Sequence, residues 1–238
     1  IELNKERFRI RAAFIAVIIY LKNNNSRKSE LVLVEANEWL KLNFHKENFF
    51  SSILNDIPED LSSIIESSFA NFSSIDDVDI ITLYEDLLSI ESFTGDIETT
   101  ISNAKNYRNK LGSYYTPISL ARKITQRTID TFFELNYNIE NLSSSKKTDI
   151  SKELLDDLKE ITFADFSCGG GIFLLEVISY FAALFEKSNL NSTEKDELLV
   201  NIAKNIYAYD VDCIALEVAK ILLTLKINQT SSYSLINC

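Results

Sequence analysis

The stretch Phe163-Ala-Asp-Phe-Ser-Cys-Gly-Gly-Gly-Ile-Phe-Leu-Leu-Glu-Val177 decides the fold: a short apolar run, an acid, three glycines, then a long apolar helical pattern. Strand, glycine turn and helix in that order open a parallel α/β unit. The glycines let the backbone pass close to a ligand, and a helix starting near Ile172 offers unpaired amide N–H groups to it. A second acidic strand end follows at Tyr207-Ala-Tyr-Asp-Val-Asp212. Asp210 is placed there to accept hydrogen bonds from ribose hydroxyls, so the two segments together read as a nucleoside-cofactor pocket.

The spacing narrows the class of cofactor. A dinucleotide site wants a third glycine where the helix packs on its strand, and with Gly169 and Gly171 as the first two that position is Leu174. The segment before Asp210 is also too long for a compact βαβ unit. Asp165, just before the turn, points instead to a ligand carrying positive charge, such as the sulfonium and ammonium groups of S-adenosylmethionine.

A third segment lies upstream, Leu111-Gly-Ser-Tyr-Tyr-Thr-Pro-Ile-Ser-Leu-Ala-Arg122, followed by an amphipathic pattern. Thr116 is a natural N-cap and Pro117 a natural first helical residue. With these three segments in this order, the chain resembles the S-adenosylmethionine-dependent N6-adenine DNA methyltransferases of restriction-modification systems, of the type I modification subunit or type IIG kind. The resemblance covers roughly the second half of the chain, with a weaker echo at Leu83-Tyr-Glu-Asp-Leu-Leu88. It implies that Tyr115, Thr116 and Pro117 sit over the methionine part of the cofactor. Asp165, Cys168, Gly169 and Gly171 would form the wall and floor of the pocket, Asp210 would hold the ribose, and Asp212 and Cys213 would flank the adenine edge. Phe166, Gly170 and Ala208 depart from the family's usual proline, serine and glycine, and none of these changes removes a charged contact.

Members of that family handle the target base with an Asn/Asp-Pro-Pro-Tyr/Phe segment. This chain has only two prolines, Pro58 and Pro117, so it carries no Pro-Pro and none of the catalytic residues. The chain also contains no methionine and stops soon after Asp212, so a fragment or partial chain holding the cofactor half-site is expected. Such a segment alone is expected to bind S-adenosylmethionine weakly or not at all and to transfer no methyl group. A non-catalytic cofactor-binding or assembly module of a larger complex is the alternative.

Composition sets further bounds. The 238 residues, 46% of them hydrophobic, suffice for a substantial core. Twenty-four basic against 35 acidic residues give a net charge of −11, which disfavours a broad nucleic-acid surface on this chain. Double-stranded DNA, implied as a partner by the resemblance, would then be held mainly by other regions, and a specificity or restriction subunit is a further implied partner. Arg122, Lys123 and Arg127 sit near the Thr-Pro segment, where a solvated helix face competes with approach to a phosphate backbone. Three cysteines without paired metal spacing and a single histidine, His45, argue against zinc and fit a reducing cytoplasmic location. The apolar run 12–21 is too short to span a bilayer and lacks a cleavage pattern, so no membrane is implied.

The expected fold is therefore α/β: an all-helical N-terminal domain over 1–93, a linker over 94–110, and a Rossmann-like methyltransferase sheet, incomplete, over 111–238 with an insertion at 136–152. Helices are predicted over 6–22, 30–44, 58–69, 77–91, 117–135, 154–160, 172–187, 193–204 and 214–225, and strands over 161–166 and 205–209. The aromatics Phe14, Tyr20, Trp39, Phe44 and Phe50 are expected in a core.

Overall fold

The computed structural model describes residues 2–24, 32–44, 48–59, 62–63, 65–66, 80–81, 116–139, 142 and 150–230. The chain divides into two compact units, 1–115 and 116–236. Among the described residues the protein is mostly helical, with one two-stranded parallel sheet, an α/β arrangement in which all strands belong to the second unit.

In the first unit α1 (Glu2–Asn24) packs against α2 (Val32–Asn43) and α3 (Phe49–Asn55). The apolar run 12–21 is buried along its whole length, so its hydrophobicity serves a core. No described helix is long and apolar enough to cross a membrane. Phe14 and Phe50 are buried, and Trp39 meets Tyr20 and Phe44 edge-on, at centroid distances of 6.1 and 5.6 Å. The apolar pattern does not predict the short helix α3; it is started by Asn48, whose side chain accepts the Ser51 N–H at 2.9 Å. Of the helix expected over 58–69, the described Glu59, Ser62, Ser63, Ile65 and Glu66 are helical. Of 77–91, only Ile80 and Ile81 are described, both helical and buried. The 94–110 segment lies outside the described residues, as do Tyr84 and Glu85.

The second unit runs α4 (Ile118–Tyr137), α5 (Lys152–Glu160), β1 (Phe163–Asp165), α6 (Ile172–Glu186), α7 (Ser192–Lys204), β2 (Ile206–Ala208) and α8 (Cys213–Thr230). Helix α6 is apolar almost all round because α4, α7, α8 and β1 all pack on it. Phe133, Phe181, Phe185, Ile178, Leu198 and Ile202 fill the core, each side chain contributing on the order of 1.5–3 kcal/mol by burial. Within the Ser/Asn/Lys-rich insertion, the described Leu142 and Ile150 are buried in the same core.

The ladder is shorter than the apolar runs suggest. Phe163, Ala164 and Asp165 pair in parallel with Ile206, Tyr207 and Ala208, three residues each. Main-chain bonding continues past the strand ends, from Tyr209 N–H to the Asp165 carbonyl at 2.8 Å and from Cys168 N–H to the Tyr209 carbonyl at 3.0 Å. Alternation turns Phe163 onto α6, where it meets Phe181, and turns Ala164, Phe166, Tyr207 and Tyr209 to the opposite face. That face is open: Phe166 is 78% exposed and stacks on Tyr209 at 5.4 Å and 17°. Parallel sheets are ordinarily covered on both faces.

Candidate functional site

The chain between β1 and α6 turns sharply through Gly169 and Gly171, both with positive φ, +50° and +85°. The two glycines answer different needs. A Cβ on Gly169 would point into open space, leaving its backbone accessible to a ligand. A Cβ on Gly171 would lie 2.8 Å from the Cβ of Ala219, so Gly171 lets the start of α6 sit against α8. Gly171 is also the N-cap of α6 and supplies no side chain to cap its amides.

Asp210 reaches across from the end of β2 to this elbow. One carboxylate oxygen accepts the Gly169 N–H at 2.9 Å, and the other accepts the Asp212 N–H at 2.9 Å. A carboxylate oxygen has two lone pairs, so each retains capacity for a further donor such as a sugar hydroxyl. Asp165 accepts the Ser167 N–H at 3.1 Å, and Asp212 caps α8 by accepting the Ile214 N–H at 2.9 Å. Cys168 is buried against Leu174 and Ala219. Burial pushes its thiol up to about 11, and the nearby Asp210 and Asp165 carboxylates add to the shift. Two carboxylates, those of Asp210 and Asp165, thus stand close to the elbow. Among the described residues no group of three or more His, Cys, Asp or Glu side chains could hold a metal ion.

Helix α4 brings the Thr-Pro segment to the same end. Arg122 Nε donates to Glu176 Oε2 at 2.9 Å, and Nη2 to Oε1 at 3.4 Å. These are the fifth residues of α4 and α6, so each helix begins about 6 Å along its own axis from the pair. Farther along, Asp130 accepts the Tyr180 hydroxyl at 2.6 Å and Phe133 meets Phe181, so the two helices run in the same sense. The N-cap of α4 is Pro117, not Thr116: the Pro117 carbonyl accepts from Leu120 and Ala121, and no side chain caps the helix. Thr116 is half-buried just before it, and Tyr115 lies outside the described residues.

Beside the elbow, a hollow of about 460 Å³ opens between α4 and β1, lined by Ile124, Phe132, Ala164, Asp165, Phe173 and Val177 among others. Its wall is largely apolar, with Thr125, Thr128, Thr162 and Asp165 as the polar residues in it. Among the described residues, the free edge of β1 borders this hollow. Both α6 and α8 lie on one face of the sheet, and the glycine elbow and Asp210 stand beyond the carboxyl ends of its two strands, where ligands of open α/β sheets bind.

The Arg122–Glu176 pair is a site feature that sequence reasoning misses. By sequence Arg122 is a phosphate-seeking cation or part of a solvated face, whereas in the fold it serves a buried carboxylate. The readable signal is Glu176 itself, an acid amid Phe173-Leu-Leu-Glu-Val-Ile178, where a buried charge needs a partner.

No family model and no solved structure matches the chain. A protein of Methanocaldococcus jannaschii named "Putative type II restriction enzyme and methyltransferase" is 30% identical over 51% of this chain. The match spans 12% of that protein's length. The sequence similarity thus runs towards restriction-modification proteins.

Proposed function

We propose that this chain is the cofactor-holding part of an S-adenosylmethionine-dependent DNA methyltransferase, acting on adenine N6 in a restriction-modification or phage-defence system. The carrying observation is the bond from the Gly169 N–H to Asp210, which joins the glycine elbow to the acidic end of the neighbouring strand. The similarity to a protein named as a restriction enzyme and methyltransferase supports the same direction. In this proposal the sheet is the first part of a Rossmann-like one.

The residues present fit the cofactor: an open backbone at Gly169, an acceptor at Asp210, uncapped amides at the start of α6 and a second carboxylate, Asp165, close by. When bound, S-adenosylmethionine supplies a methyl group on a positively charged sulfur. Asp210 would orient the ribose, Asp165 would favour the cationic end, Thr116 and Pro117, with Tyr115, would close over the methionine part, and Asp212 would border the adenine. Cys168 stays a neutral packing thiol beneath them. Extrusion of the target base and acceptance of its amino hydrogens are assigned to groups outside these 238 residues, since no Pro-Pro segment occurs in them. Duplex DNA and a specificity or restriction subunit are the proposed partners.

Calorimetry with S-adenosylmethionine on the intact enzyme tests this. Asp210→Ala is expected to weaken binding about ten- to a hundredfold, because a charge-assisted acceptor contributes roughly 1.5–3 kcal/mol. Unchanged affinity removes Asp210 from the site. Methyl incorporation into duplex DNA by these 238 residues alone would show that base handling resides within them.

The net charge of −11 and the lack of a Pro-Pro segment favour a second reading, a non-catalytic cofactor-binding or assembly module. That reading gains if the intact protein binds the cofactor and transfers no methyl group to any DNA.

A further inference from the structure

The buried stripe of α4 repeats every four residues, Ala121, Thr125, Ile129 and Phe133. A slide of α4 along α6 by four residues, about 6 Å, would lay this stripe back on itself with a change of side chain at each position. The first turns of α4 carry the smallest of these side chains, Ala121 and Thr125, so apolar packing holds this end least, although it is the end that carries Thr116 and Pro117. The ion pair does distinguish the registers. Glu176 is 5% exposed and is met by both Nε and Nη2 of Arg122. After such a slide, Ile118 or Gln126 would face it, and neither carries a positive charge.

We propose that Arg122 and Glu176 are positioning residues that fasten the first turns of α4 to α6 and so hold the Thr116–Pro117 end beside the glycine elbow. The consequence for the cofactor rests on the function proposed above; the pin itself does not. Site-resolved hydrogen exchange on the chain tests it. In Glu176→Gln and in Arg122→Gln, the amides of Leu120 and Ala121, which bond to the Pro117 carbonyl, should exchange about tenfold faster or more, while those near Phe133 stay within about twofold. Arg122→Lys keeps the charge and should restore most of the protection. Unchanged exchange at Leu120 and Ala121, an equal rise along all of α4, or failure of lysine to rescue would overturn the pin. Should Glu176→Gln fail to fold, the half-exposed Arg122 variants carry the same test. S-adenosylmethionine at saturating concentration should further protect these amides in the intact wild-type protein. Absence of that protection counts against the cofactor reading alone, because the pin stands or falls on exchange in the Arg122 and Glu176 variants.

Discussion

Gly169 and Gly171 look equivalent in the sequence and are not equivalent in the fold. Gly169→Ala meets no atom and bears only the left-handed backbone penalty, about 1–2 kcal/mol. Gly171→Ala adds a collision with Ala219, so its total should exceed that of Gly169→Ala by about 1–3 kcal/mol, measured by urea unfolding. Cofactor affinity is expected to suffer more from Gly169→Ala relative to its smaller loss of stability. Cys168 and Cys213 should likewise separate. Alkylation at pH 8 should label the exposed Cys213 and spare Cys168, whose thiol is pushed up to about 11; peptide mass mapping reads the difference. Because burial raises the folded thiol above its ordinary value near 9, its contribution to stability is intact below pH 9 and is lost as pH rises towards 11. Cys168→Ala should flatten that part of the stability profile.

At the scale of elements, local chemistry explains where prediction succeeds. Helix α7 opens with a capping box in which Asn191 accepts the Glu194 N–H at 3.0 Å and Glu194 accepts the Asn191 N–H at 2.9 Å. Asn191→Ala should cost about 1 kcal/mol in thermal or urea melts. Tyr180→Phe removes the hydroxyl that Asp130 accepts between α4 and α6, and should lower stability by about 1.5–3 kcal/mol in the same melts. The strand–glycine–helix run and the acid at the next strand end are legible in the sequence because their signals are local: an apolar run, a glycine elbow, an acid at fixed spacing. Three features are not legible. Helix α3 is about two capped turns, too short for periodicity to show, and the Asn48 cap speaks only once the helix is known. The N-cap of α4 falls at Pro117 rather than Thr116, because the Pro117 carbonyl is the one that accepts the first helical bond, from the Ala121 N–H. The Arg122–Glu176 pair joins positions 54 apart, a distance over which no local pattern operates.

For the whole molecule, the division at residue 115 gives each unit its own core. Gly171→Ala should therefore disturb hydrogen exchange in the second unit, along α6 and α8, which meet at Ala219. The net charge of −11 predicts that the chain alone shows no specific retention of duplex DNA at physiological salt, which fluorescence anisotropy checks. The open side of the sheet has a practical outcome. Phe166, Tyr207 and Tyr209 form an oily aromatic shelf with the fully exposed Val211 beside it. A solvatochromic dye that brightens on greasy surfaces should light up in the native protein, and concentrated stocks should clump until charged residues replace Phe166 and Tyr209.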